Sequence, residues 1–115
     1  RVSPGTRQRV LMQVNCSAEP QTGGVEPASL PQLIEDVLAL PALDLCGLMT
    51  MAAFDADEAE LRRTFGLLRR LRDDGERRGA ALPELSMGMS DDFEVAIEEG
   101  ATLVRIGRAI FGERA

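Results

Sequence analysis

The stretch Glu84-Leu85-Ser86-Met87-Gly88-Met89-Ser90-Asp91-Asp92-Phe93-Glu94-Val95-Ala96-Ile97-Glu98-Glu99-Gly100-Ala101-Thr102-Leu103-Val104-Arg105-Ile106 holds a strand, a turn, a helix and a second strand in one short span. Residues 84–87 are short for a strand but sit where the third strand of the alternation is due. Asp91 with Glu94 three residues on has the form of a capping box. A helix is therefore expected over 92–99, ending at Gly100, where the left-handed C′ position favours glycine. Thr102, Val104 and Ile106 alternate with Leu103 and Arg105, the period of a strand over 102–106. Two strands joined through a helix are parallel neighbours, because a parallel pair needs a crossover connection.

The same unit recurs upstream. Residues 10–15 form an apolar run that reads as a strand, and Pro20, Gly23, Gly24 and Pro27 mark a loop over 17–27. Ser29 opens a helix with Pro31 in its first turn. Leu30, Leu33, Ile34, Val37 and Leu38 share one face of it, and Pro41 stops it. Residues 43–50 read as the next strand and 53–57 as a loop with Asp55 or Asp57 as N-cap. Leu61, Phe65, Leu68 and Leu71, with Leu67 alongside, form the stripe of a long helix. Gly79 and Pro83 bracket the following turn. Residues 1–9 read as a linker or frayed end, and Ala109-Ile110-Phe111 as a last short apolar turn. The order β-α-β-α-β-α-β, with strands apolar on both faces, places the chain in the α/β class with a parallel sheet covered by helices or by a barrel interior.

Composition narrows the chemistry. The 115 residues carry a formal charge of −6 and are 44% hydrophobic, which fits one globular domain rather than a disordered segment. The acidic balance argues against general nucleic-acid binding. Arg62, Arg63, Arg69, Arg70, Arg72, Arg77 and Arg78 alternate with Glu58, Glu60, Asp73, Asp74 and Glu76, the pattern of a solvated helix face with local ion pairs. No apolar run approaches the roughly 18 residues that cross a bilayer, and residues 1–10 lack the apolar region of a secretory signal. There is no His and all 13 basic residues are Arg. Histidine-dependent triads, the usual His-rich metal sites and a Schiff base through a side chain are thus excluded within this sequence. Cys16 and Cys46 match no metal spacing and read as two buried thiols in a reducing compartment, the cytoplasm.

In parallel β/α folds ligands sit at the carboxyl ends of the strands. Among the segments at those ends, 86–92 and 105–108 carry a mechanism. Gly88 allows a backbone conformation that a Cβ hinders, so the amides of Met89, Ser90 and Asp91 and the Ser90 hydroxyl suit a phosphate. Asp91 opposes this unless it turns back to cap the helix. Arg105 on an apolar strand reaches the surface or faces a polar cavity, and Gly107 again exposes amides. One helix and one strand separate the two segments, so their loops are expected side by side.

The run 86–93, Val104-Arg105-Ile106-Gly107 and Ile110-Phe111-Gly112 closely resemble the C-terminal signature of the pyridoxal phosphate homeostasis proteins, barrels related to the N-terminal domain of alanine racemase. Leu11-Met12-Gln13-Val14-Asn15, Glu19 with Gly23-Gly24, and Gly47-Leu48-Met49-Thr50 agree with it. The resemblance implies a TIM-type (β/α)8 barrel of which residues 10–115 are the C-terminal half, about the last four strands of eight. It implies pyridoxal 5′-phosphate as ligand, with Met89, Ser90, Gly107 and Arg108 at the phosphate and Arg105 near the pyridine nitrogen. An arginine there leaves that nitrogen unprotonated, which suits a non-catalytic carrier in cofactor homeostasis rather than a catalyst.

Two departures stand out: Arg108 where the family often has Thr, and Thr22 where it has Lys. The family's Schiff-base lysine lies on an early strand, so binding by this chain is expected to be non-covalent at most. A half barrel leaves open sheet edges, for which the missing N-terminal half or a second copy is the expected partner; no membrane or nucleic-acid partner is expected. The other readings are a fragment of a racemase or decarboxylase of the same fold type, and a half barrel binding another phosphorylated metabolite.

Overall fold

The structure, a computed structural model, describes residues 7–17, 19 and 23–105. In chain order its elements are β1 (Gln8–Gln13), a 3-10 turn (Pro27–Ser29), α1 (Leu30–Leu38), β2 (Leu43–Met49), α2 (Glu58–Arg77), β3 (Glu84–Met89), α3 (Phe93–Glu98) and β4 (Leu103–Arg105). The four strands form one parallel sheet in the order β1-β2-β3-β4. Each crossover steps to the adjacent strand, as repeated β/α units require. Ile106 and residues 107–115, which include the expected apolar turn over 109–111, lie outside the described residues, as do residues 1–6 of the expected linker and Thr22.

The sheet has two unlike faces. Met12, Leu48 and Leu85 stand in register, and Leu48 and Leu85 are fully buried in one core with Phe65 and Leu68 of α2. The neighbouring row, Gln13, Met49, Ser86 and Leu103, belongs to the opposite face because side chains alternate along a strand. Leu103 there is 45% exposed.

Several boundaries differ from the sequence reading, each for a tertiary reason. β1 begins at Gln8 rather than at Val10, because its ladder with β2 extends to Gln8, whose amide donates to the Ala42 carbonyl at 2.8 Å. β2 carries one extra residue, Cys46, between the partners of Val10 and Leu11. In consequence Cys46 is half-buried rather than buried, and its thiol donates to the Val10 carbonyl at 3.4 Å. β3 extends two residues beyond the expected 84–87, because pairing with β4 recruits Gly88 and Met89.

The helices obey local chemistry more closely. Asp57, not Asp55, caps α2 in a complete capping box: its carboxylate accepts from the Glu60 amide at 2.9 Å, and Glu60 accepts from the Asp57 amide at 3.1 Å. Asp55 instead takes a left-handed φ of 65° in the preceding loop. The arginine-rich face of α2 is laced with ion pairs, as its alternation with acids implies. Arg62 reaches Glu98 at 2.7 Å, Glu58 at 2.9 Å and Glu99 at 3.2 Å, which ties α2 to α3. Those hydrogen bonds, with Glu98 the strongest, push the Arg62 pKa upward. Among the described residues no helix is long and apolar enough to cross a membrane.

Candidate functional site

β3 ends with a bulge. Ser86 pairs with Leu103 and Met89 with Arg105, so β3 uses one residue more than β4 between these two points. Gly88 sits in that interval with φ 102°. A Cβ at this position would meet the Ala96 Cβ at 2.6 Å and Val104 Cγ1 at 3.2 Å, so both the backbone angle and the close approach of α3 demand glycine.

The turn that follows is closed by Asp92. Its Oδ1 accepts from the Met89 amide at 2.6 Å, and its own amide donates to the Met89 carbonyl at 3.1 Å. This corrects two expectations. The N-cap position of α3 belongs to Asp92, not Asp91, and no side-chain cap bond forms there, so the capping box of Asp91 with Glu94 is absent. The Met89 amide also has a partner already. The extra residue in the β3 bulge shifts the turn by one position and brings Asp92 to the strand end. Among the described residues the Ser90 hydroxyl makes no hydrogen bond, and it borders an open cleft.

That cleft has a volume of ≈ 780 Å³ and lies at the carboxyl ends of the strands. Met89, Ser90, Asp91 and Asp92 line it from the end of β3, and Met51, Phe54, Asp55 and Leu61 from the segment after β2, with Glu19 beside them, so four carboxylates border it. Its size is that of a small-molecule site. The expected neighbour, Arg105, stands in register with Met89 and is exposed, so it reaches the surface. Of the expected site residues the structure therefore brings together Met89, Ser90 and Arg105; Gly107 and Arg108 lie outside the described residues. The sequence reading overlooked Asp92 as the anchor of the turn, and Phe54. A phenylalanine between Ala53 and Asp55 in a loop was the available signal for the latter.

The strand-end loops are also tied to each other. Thr50, 1% exposed, donates to the Val14 carbonyl at 2.6 Å and accepts from the Cys16 amide at 3.4 Å, which locks the ends of β1 and β2 together. Burial pushes the Cys16 thiol up to about 11, with the Thr50 hydrogen bond and Arg70 acting the other way. Both cysteines are free thiols. Among the described residues no group of His, Cys, Asp and Glu side chains could hold a metal ion.

Comparison with known proteins matches residues 1–115 to the family described as alanine racemase, N-terminal domain. A pyridoxal phosphate homeostasis protein of Aquifex aeolicus is 53% identical over 108 residues, covering 93% of this chain and 47% of the relative. The solved structure of PipY from Synechococcus elongatus with PLP bound is similar at a TM-score of 0.82 and 31% identity, over 94% of this chain and 50% of that one. Alanine racemase from Corynebacterium glutamicum, at 20% identity and a TM-score of 0.76, shares the fold over 96% of this chain and 31% of its own. The chain thus spans about half the length of the curated relatives it matches. Its parallel α/β sheet is of the TIM-barrel type.

Proposed function

The chain belongs to the family of the alanine racemase N-terminal domain, and from that premise we propose that it forms the phosphate-gripping half of a pyridoxal 5′-phosphate carrier. The carrier is non-catalytic and acts in cofactor homeostasis in the cytoplasm. The PLP-bound relative and the pyridoxal phosphate homeostasis proteins support the ligand. Two free thiols accord with a reducing compartment.

The observation that carries the reading is the register of Met89 with Arg105, which sets the end of β3, where the cleft lies, beside the end of β4. The residues at the two strand ends favour a phosphate ester, while the carboxylates of Glu19, Asp55, Asp91 and Asp92 along the cleft oppose one. Gly88 permits the tight bulge, the Ser90 hydroxyl is available as a donor, and Arg105 supplies a permanent positive charge at the adjoining strand end. In this reading Ser90, Gly107 and Arg108 hold the phosphate, Met89 borders it with its own amide held by Asp92, and Arg105 lies at the ring nitrogen and keeps it unprotonated. When bound, the cofactor supplies an aldehyde that can be passed to an amine. This sequence has no Lys to engage it, so the covalent hold falls to the half of the barrel that the relatives carry in addition. That half also covers the face on which Leu103 is exposed.

Calorimetric titration tests the proposal. Pyridoxal phosphate is expected to bind more tightly than pyridoxal, which lacks the phosphate, and more tightly than glycerol phosphate, which lacks the ring. Equal affinity for all three overturns it; preference for any phosphate ester regardless of the ring favours a site for another phosphorylated metabolite.

A further inference from the structure

The cleft holds one feature that a phosphate grip does not use. Phe54 is 93% exposed, at the tip of the loop between β2 and α2, and it lines the same cleft as Met89 and Ser90. An aromatic ring left in water gains by burial, and its placement at a ligand-sized cleft points to an occupant.

An aromatic partner for a planar ligand has few sources in this chain. It contains no Trp, no Tyr and no His, and only four Phe. Phe65 is fully buried in the core, Phe93 opens α3, and Phe111 lies outside the described residues. Among the described residues Phe54 is the aromatic side chain that borders the cleft. Its loop is held in a defined shape: Asp55 takes φ 65°, the Ala56 amide donates to the Ala53 carbonyl at 3.3 Å, and the capping box at Asp57 fixes the loop's far end. Phe54, Met51 and Leu61 line the cleft together with Met89 and Ser90.

We propose that Phe54 is a specificity-determining residue that packs against the aromatic ring of a phosphorylated ligand while the loop around Ser90 holds its phosphate. The inference rests on the cofactor-carrier reading and adds to it a ring contact. An offset-stacked or edge-on aromatic pair contributes roughly 0.5–1.5 kcal/mol, a two- to twelvefold change in affinity, and it discriminates ring-bearing from ring-free esters.

The test compares the chain with F54A and F54W, using pyridoxine 5′-phosphate, which has no aldehyde, and inorganic phosphate. Calorimetry is expected to show F54A weakening pyridoxine phosphate two- to twelvefold and leaving inorganic phosphate unchanged. F54W is expected to restore the affinity, and the chain's sole tryptophan then changes emission on addition of pyridoxine phosphate but not of phosphate. Equal affinity of F54A and the parent chain for pyridoxine phosphate, or equal losses for both ligands, overturns the role of Phe54 while the carrier reading stands. If the parent binds neither ligand, the carrier reading falls, and this inference with it. An unchanged circular dichroism spectrum of F54A is expected, since Phe54 packs into no core.

Discussion

Met89 on β3 stands in register with Arg105 on β4, although the residues before them are out of step by one. The bulge at Gly88 absorbs the mismatch. Without it the strand ends would be offset by one residue and their side chains would alternate to opposite faces. The end of β3 and the arginine thus share one end and one face of the sheet because of the bulge at Gly88.

The substitution Gly88→Ala is expected to destabilise the fold by about 1–3 kcal/mol, since both a positive φ of 102° and a contact with Ala96 oppose a Cβ. Gly79→Ala provides the contrast: φ is 109°, but nothing lies within 4 Å of the added carbon, so only backbone strain of about 1 kcal/mol is expected. Urea unfolding of the two variants checks the difference, and equal losses would contradict the packing argument.

Ser90→Ala and Arg105→Ala are each expected to weaken pyridoxal phosphate binding several-fold, a loss of about 1–2 kcal/mol per charge-assisted hydrogen bond. Unchanged affinity in both variants, read by calorimetry, would remove the site from these two strand ends.

Asp92 holds the Met89 amide, and its negative charge borders the cleft. Asp92→Asn keeps an acceptor for that amide and removes the charge, so inorganic phosphate is expected to bind up to about fivefold more tightly, the scale of an exposed charge pair. Asp92→Ala removes the anchor as well and is expected to lower the melting temperature. Phosphate titrations at two salt concentrations separate the effects, because the charge contribution shrinks with ionic strength.

Cys16 is expected to resist alkylation at neutral pH, with a rate that climbs only as pH nears its thiol pKa of about 11. The folded chain holds this proton more tightly than the unfolded one. Its contribution to stability is therefore whole below pH 9.0 and is lost as pH rises from there through about 11. Melting temperatures of the parent and Cys16→Ser across that window check the sign.

Arg62 joins Glu58 on its own helix to Glu98 at the end of α3 and to Glu99, its C-cap. Arg62→Ala is expected to lower the melting temperature at low salt and to matter less as salt rises. A loss independent of salt would point to packing by the arginine stem instead.

Much of this architecture is legible in the sequence because it rests on local chemistry. The α2 capping box needs only Asp57 and Glu60 three residues apart, and the stripe from Leu61 to Leu71 needs only helical spacing. Both are present in the structure. The ion pairs of the arginine-rich face follow from acids three and four residues away. The N-cap of α3 falls at Asp92 although the local pattern, with Glu94 three residues after Asp91, favours Asp91. Only the ladder with β4, which draws Gly88 and Met89 into β3, decides between them.

By itself, then, the sequence determined the alternation of strands and helices, the parallel α/β class, the family resemblance and the absence of any lysine or histidine. Each of these is a property of composition or of spacing along one element. The tertiary structure alone decided the register of Met89 with Arg105, the capture of the Met89 amide by Asp92 and the exposure of Phe54 at the cleft. These depend on which strand lies beside which, and hydrogen bonds between segments far apart in the chain leave no periodic trace within either one.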